Sequence, residues 1–286
     1  MKAVAEALRA ATERLSATSD TARLDAELLM AHALGCSRSD MLLQHMRDLA
    51  PKGFAALVRR RAAHEPVAHI IGRQEFYGLE FEVTPATLIP RGDSETLVEA
   101  AREAFAGEPP ARVLDMGTGS GALLLAALTV FPQAEGIGTD ASEAALGVAW
   151  RNAKRLGLAG RATMLTRDWH TPDWADDLGT FDLVLCNPPY VETDAALDPD
   201  VRNYEPASAL FAGPEGLDDY RAILPQLGKL LSPRGAAIVE IGATQGNAVA
   251  LLAAESGFVS EVRHDLASRP RALVLREGVG KGDSKG

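Results

Sequence analysis

The chain has 286 residues, 47% hydrophobic and 24% charged, an ordinary globular composition with room for one large domain or two smaller ones. Its formal net charge of −10 lacks the cation excess on which non-specific DNA affinity depends. No apolar run reaches the roughly 20 residues of a bilayer-spanning helix, and the longest, Ala122 to Phe131, has about half that.

Two cysteines, Cys36 and Cys186, lie far apart in unlike contexts and read as reduced thiols. The six histidines form no ligand-spaced cluster with them, so no metal site is expected. The N-terminus, Met1-Lys2-Ala3-Val4-Ala5-Glu6, carries an acid at helical spacing instead of a signal peptide's apolar core. Together these features predict a cytoplasmic protein without a membrane segment.

Residues 1–72 read as helices throughout, with Leu8, Leu15, Leu24, Leu28, Leu29, Ala33 and Leu34 at helical offsets. Asp20-Thr21-Ala22-Arg23 offers an N-cap and Gly35 a stop. The triplet Arg59-Arg60-Arg61 reads as a solvated helix face. No acid–base pair or glycine-rich loop occurs here, so a helical docking domain is expected.

Between Gln74 and Pro90 the pattern changes. Phe76-Tyr77, Gly78 and then Phe81 to Thr84 predict two short strands around a turn, closed by Pro85 and Pro90. This gives a hairpin linker over 73–90, leading to a main domain over 91–276. From Arg112 onward, strands and helices alternate. Strands are expected at Arg112 to Met116, Ala134 to Thr139, Ala162 to Leu165, Phe181 to Cys186, Ala236 to Ile241, Val259 to Arg263 and Ala272 to Leu275. Helices are expected at Ala122 to Phe131, Ser142 to Leu156, Leu217 to Leu231 with a kink at Pro225, and Ala248 to Ala254. That order predicts an α/β domain built on a parallel, doubly wound sheet, with ligands beyond the carboxyl ends of its strands. The Gly-rich, polar tail over 277–286 is expected to be disordered.

The loop Gly117-Thr118-Gly119-Ser120-Gly121 follows the first of these strands and opens a helix. Its glycines permit positive φ and close approach of a ligand to backbone. Asp140 ends the next strand, where a carboxylate can accept from both ribose hydroxyls. With Ala122 the loop also satisfies the dinucleotide pattern G-x-G-x-x-A, so spacing alone leaves NAD and S-adenosylmethionine both open. Asp115 is unwelcome beside a pyrophosphate but can help hold an ammonium, or it can simply cap the loop. Asp168-Trp169, after the third strand, can meet the edge or face of an adenine, or the Trp can serve packing.

After Phe181 to Cys186 comes Asn187-Pro188-Pro189-Tyr190. Two prolines fix φ near −65° and remove two donors, and Asn187 is pushed out of the α region. The corner is either a plain turn or a rigid holder for a planar NH2 group.

Taken in order, Ala68-His69-Ile70-Ile71-Gly72, Glu75-Phe76-Tyr77-Gly78, Pro85 to Arg91, Val113 to Gly121 and Asn187 to Tyr190 resemble the HemK/PrmC family of glutamine methyltransferases. The resemblance spans residues 65–275. It implies a class I S-adenosylmethionine-dependent methyltransferase, a Rossmann-like seven-stranded sheet, behind a small helical domain and a β-hairpin linker. It also implies cofactor contacts at Gly117, Thr118, Gly119, Ser120, Gly121, Asp140, Trp169 and Asn187, and substrate-amide contacts at Asn187, Pro188, Pro189 and Tyr190. The implied partner is a class I peptide release factor, modified on the glutamine of its Gly-Gly-Gln motif, with no direct nucleic-acid substrate. Two positions depart from the family pattern: Gly92 stands where proline is usual, and Ser268 to Arg271 differ from the usual ending.

An amide nitrogen is a weak nucleophile because its lone pair is delocalised, so positioning and charge stabilisation carry the expected chemistry. The Asn187 side-chain oxygen and the Pro188 carbonyl would accept from the target NH2, with the Tyr190 ring against the amide plane. Rivals are a ribosomal-protein glutamine methyltransferase and an adenine-N6 DNA methyltransferase, whose flipped base presents a similar amine. A NAD-dependent dehydrogenase leaves the proline corner unexplained, and a non-catalytic binding module leaves the intact loop, acid and corner without a use.

Overall fold

The computed structural model describes residues 2–278, so the expected tail falls largely outside the described residues, while its first member, Glu277, closes the last strand. The chain forms two compact units: Met1–Arg73 with Leu197–Glu205, and Gln74–Ala196 with Pro206–Gly286.

The first unit holds α1 (Val4–Leu15), α2 (Ala22–Leu34), α3 (Arg38–Gln44), α4 (Phe54–Arg61) and α5 (Val67–Ile71). On α1 the buried positions Val4, Leu8, Ala11 and Leu15 step by four, three and four, one helical stripe facing the core. Leu29, Met30, Met41, Phe54 and Val58 complete that core. Thr21 is the N-cap of α2 but makes no side-chain cap bond. Its hydroxyl, with that of Ser19, donates to Asp25 at 2.9 and 2.8 Å. Gly35 ends the helix at φ 71°, a conformation costly for any residue with a Cβ.

The arginine triplet is not a uniformly solvated face. Arg59 and Arg60 are exposed, but Arg61 is buried and its Nε donates to Asp25 at 2.6 Å. Helical periodicity turns every third or fourth residue inward, and here a buried carboxylate receives it. Arg61 also reaches Asp200 at 3.6 Å, and the Tyr204 hydroxyl donates to the Ala63 carbonyl at 2.9 Å. These bonds bring Leu197–Glu205, with the helix Pro199–Tyr204, into the first unit. No residue pattern within 197–205 marks that association.

The second unit opens on a hairpin, β1 (Arg73–Phe76) and β2 (Leu79–Glu82). Next come α6 (Glu95–Ala104), β3 (Arg112–Met116), α7 (Ala122–Val130), β4 (Glu135–Asp140), α8 (Glu143–Arg155), β5 (Ala162–Thr166) and β6 (Phe181–Cys186). After the helix Pro199–Tyr204, which is α9, follow α10 (Asp218–Ile223), α11 (Leu227–Leu230), β7 (Leu231–Glu240), α12 (Gly246–Glu255), β8 (Phe258–His264) and β9 (Pro270–Glu277).

Strands β3 to β9 form a seven-stranded sheet in the order β5-β4-β3-β6-β7-β9-β8. The pairs from β5 through β7 are parallel, but β9 runs antiparallel to both β7 and β8. The sheet is therefore mixed, not wholly parallel. A short turn between β8 and β9 replaces the helical crossover that a parallel pair requires. The expected helix at Leu217 to Leu231 is broken in two by a 3-10 turn at Leu224–Gln226, where Pro225 supplies no amide proton. Apolar clusters cover both faces of the sheet. Leu124, Leu125 and Leu128 of α7 pack on one side, and Tyr220, Ile223 and Leu227 on the other.

Asn152 of α8, fully buried, ties the hairpin to the glycine loop. Its Oδ1 accepts from Glu82 N at 2.7 Å, and its Nδ2 donates to Glu82 O and Ser120 O at 3.0 and 2.9 Å. Ser142 caps α8, accepting from Ala145 N at 3.2 Å.

Candidate active site

Strand register sets out the site before any side chain is considered. Met116 of β3 pairs with Thr139 of β4 and with Cys186 of β6, and Cys186 pairs with Val239 of β7. The next residue along each strand is Gly117, Asp140, Asn187 and Glu240, so these four form one row across the carboxyl edge of the sheet. The row spans the boundary between β3 and β6, where the strand order reverses and ligands of such sheets bind.

A cavity of about 630 Å³ opens on this edge. Its wall includes Gly117, Thr118, Gly119, Ser120, Asp140, Trp169, Asn187 and Pro189. Gly121, Pro188 and Tyr190 do not line it, although each adjoins a residue that does.

The loop conformation depends on glycine. Gly117, Gly119 and Gly121 have φ of 71°, 54° and 83°. A Cβ on Gly117 would also lie 3.0 Å from the Trp169 ring. Gly119 N donates to Asp140 Oδ2 at 2.9 Å, and Ser142 N to Oδ1 at 2.8 Å. The carboxylate is thereby fixed in the cavity wall with lone pairs left on both oxygens, as a pair of ribose hydroxyls requires. Burial pushes the pKa of Asp140 up, while the two backbone donors pull it down.

Asp115 is buried beneath this loop and does not line the cavity. Its Oδ2 accepts from Thr118 Oγ1 at 2.6 Å and Leu124 N at 3.2 Å, so it caps the loop and the start of α7. Its Oδ1 has no hydrogen-bond partner, and burial drives its pKa up to about 7. Of the two uses open to it in the sequence, the structure shows the capping one.

Trp169 is held on three sides. Its indole N–H donates to Asp219 at 2.8 Å, Gln226 donates to its carbonyl at 3.1 Å, and its ring lies against Gly117. His170 shares Asp219 at 3.1 Å.

At the proline corner, Asn187 Nδ2 donates to Ser94 Oγ at 3.3 Å, and the Tyr190 hydroxyl donates to Glu240 Oε1 at 3.1 Å. Gln245 clamps the chain just beyond, donating to Tyr190 O and Gly216 O at 3.0 and 3.1 Å. Gly216 approaches the Tyr190 carbonyl so closely that a Cβ there would sit 2.3 Å from it. Cys186, one residue before the corner, is completely buried, and burial raises its thiol pKa well above the ordinary value. Such a thiol is inert as a nucleophile.

Ser94, Asn152, Asp219, Glu240 and Gln245 escaped the sequence reading. One signal was present for Glu240: a lone carboxylate ending the apolar run Ala236-Ala237-Ile238-Val239. Among the described residues no group of three or more His, Cys, Asp or Glu is placed to hold a metal ion, and no helix is long and apolar enough to cross a membrane.

The family model for the PrmC N-terminal domain matches residues 6–72, and a methyltransferase-domain model matches residues 108–259. The release factor glutamine methyltransferase of Cereibacter sphaeroides is 43% identical over 279 residues, spanning 95% of this chain and 98% of its own length. That of Moorella thermoacetica is 42% identical over 277 residues, spanning 94% and 96%. Among solved structures, a methyltransferase from Pyrococcus furiosus aligns with TM-score 0.50 at 16% identity, over 71% of this chain and 90% of that one. That likeness concerns the fold alone, which is the class I methyltransferase sheet. With matches of this extent on both parts of the sequence, the chain belongs to the release factor glutamine methyltransferase family.

Proposed function

We propose that the chain methylates the side-chain amide nitrogen of the glutamine in the Gly-Gly-Gln motif of class I peptide release factors. One observation carries this reading furthest: the glycine loop, Asp140 and Asn187 stand in one row and open into one cavity. A cofactor seat and an amide-recognising corner therefore share a single chamber.

S-adenosylmethionine is the methyl donor, and when bound it supplies an electrophilic methyl on a sulfonium. The residues present fit it. Asp140 has free lone pairs on both oxygens for ribose hydroxyls, Gly117 and Gly119 offer backbone without a Cβ, and Trp169 walls the cavity beside them. We assign cofactor contacts to Gly117 through Gly121, Asp140, Trp169 and Asn187. Substrate contacts fall to Asn187 through Tyr190.

Within that assignment Asn187 does the main work. Its Oδ1 accepts from the target NH2, fixing the direction of the nitrogen and stabilising positive charge as it develops. The Pro188 carbonyl is the second acceptor, and the Tyr190 ring faces the amide plane. These two roles rest on the sequence of the corner, since neither residue lines the cavity. Once cationic the nitrogen is strongly acidic and gives its proton to water, so no side-chain base is assigned.

The helical unit 1–72, completed by residues 197–205, is read as the docking element for the release factor, 73–90 as the linker and the remainder of 91–276 as the catalytic domain. A cytoplasmic location belongs to the same reading, as does the absence of a direct nucleic-acid substrate, the latter supported by the acidic charge of −10.

Mass spectrometry of a release factor incubated with the protein and S-adenosylmethionine tests the proposal. One added methyl on the Gly-Gly-Gln glutamine is expected; methylation of a ribosomal protein or of duplex DNA instead would redirect it. Asn187→Ala should lower kcat by about 100-fold or more while cofactor affinity changes less than about threefold.

A further inference from the structure

We propose that Asp219 is a positioning residue for the cofactor: it fixes the plane of the Trp169 indole, so that this wall of the seat is in place before the cofactor arrives. The proposal rests on the assignment of Trp169 to the cofactor above.

Trp169 has little local support. Between β5 and β6 the chain makes turns but no helix or strand, so no sheet ladder holds it. The place of its ring is set by contacts with other segments. An indole has one polar atom, Nε1, which can only donate. Here it donates to Asp219 Oδ1 at 2.8 Å. The far edge of the ring, Cη2 and Cζ3, lies 3.0 and 3.1 Å from the point that a Cβ on Gly117 would occupy. Asp219 thus holds one edge of the indole, and a glycine without a side chain receives the other. Half a turn about the Cβ–Cγ bond would take the N–H away from Asp219 and put ring carbon in its place. Asp219 is buried, so water is not at hand to replace the lost bond.

The backbone of Trp169 is held from the same direction. Gln226 Nε2 donates to the Trp169 carbonyl at 3.1 Å and to Ala222 O at 2.7 Å, while its Oε1 accepts from Trp174 Nε1. Asp219 lies in α10 and Gln226 in the 3-10 turn that follows it, so one short stretch supports both the ring and its main chain. His170 Nε2 lies 3.1 Å from the same Asp219 oxygen.

A side chain fixed in advance removes an ordering cost from ligand binding. A wall beside the glycine loop meets the adenosine part of the cofactor, which is the same before and after methyl transfer. Interactions of that kind change cofactor affinity and KM and leave kcat alone. Asp219 also lines the cavity, so direct contact with the cofactor is the competing explanation. Trp169→Phe separates the two, because phenylalanine has no N–H for Asp219 to hold.

The test is calorimetry of S-adenosylmethionine and S-adenosylhomocysteine binding to Asp219→Ala, Asp219→Asn, Trp169→Ala, Trp169→Phe and the double variant of Asp219→Ala with Trp169→Phe. Asp219→Ala should weaken both ligands by the same factor, about tenfold, with kcat at saturating cofactor within about twofold of the parent. Asp219→Asn keeps an oxygen for the indole and should bind within about threefold of the parent. In the Trp169→Phe background, Asp219→Ala should cost less than about twofold more. Parental affinity in Asp219→Ala overturns the inference, as does an Asp219→Asn as weak as Asp219→Ala. An undiminished loss in the Trp169→Phe background overturns it too, in favour of direct contact. Should Asp219→Ala not fold, Asp219→Leu, of similar shape but without an acceptor, takes its place. Binding is measured without a methyl acceptor, so these outcomes do not depend on which amide is methylated. If Trp169→Ala binds like the parent, the assignment of Trp169 fails and the inference with it; if Trp169→Ala is weakened while Asp219→Ala is not, only the inference does.

Discussion

At Asp115 one carboxylate oxygen serves two donors and the other has none, in a place water does not reach. Its folded pKa of about 7, against an ordinary 3.8, means that the fold prefers the protonated acid. The stability this contributes is complete below about pH 4 and is lost as pH rises through about 7. Asp115→Asn, always neutral, should gain stability relative to the parent as pH goes from 5 to 8. Thermal melts of both proteins without cofactor check this; a difference flat in pH would contradict it. Residue type at the end of a strand was visible in the sequence, but not which way the carboxylate faces. The same holds for Ser94, whose partner Asn187 lies 93 positions away. Chemistry carried by a motif is legible; chemistry carried by a hydrogen bond between distant segments is not.

Among the elements, the hairpin and the glycine loop are coupled through Asn152, whose side chain makes three bonds to Glu82 and Ser120. Asn152→Ala leaves a backbone amide and two carbonyls without that partner. It should cost about 3 kcal/mol in urea unfolding and weaken S-adenosylmethionine binding roughly fivefold by calorimetry. Strand positions were readable because buried parallel strands are short apolar runs bounded by breakers; β3 and β6 fall on the expected residues. The antiparallel course of β9 was not readable, since a run such as Ala272 to Leu275 has no direction. The helix α6, Glu95–Ala104, went unanticipated although its buried Leu97, Val98, Ala100 and Ala101 lie on one face. The breakage at Pro225 was visible, because a missing amide proton is a local fact.

At the scale of the whole molecule, the buried pair Arg61–Asp25 is the chief ionic element of the first unit. Arg61→Ala would strand Asp25, leaving only the hydroxyls of Ser19 and Thr21, and should destabilise that unit by about 3 kcal/mol. Hydrogen exchange is the suitable readout, with protection falling in α2 and α4 and unchanged in the central sheet strands. Arg61 also reaches Asp200, and Tyr204 reaches Ala63, so a stretch from late in the sequence completes a unit begun at its start. The backbone passes between the units after Arg73, after Ala196 and again after Glu205. The two parts are consequently not interchangeable cassettes. A fragment ending at Arg73 would lack a helix of its own, and one starting at Gln74 would carry that helix without its partners. Anyone grafting the helical head of one relative onto the catalytic body of another must transplant residues 197–205 along with it.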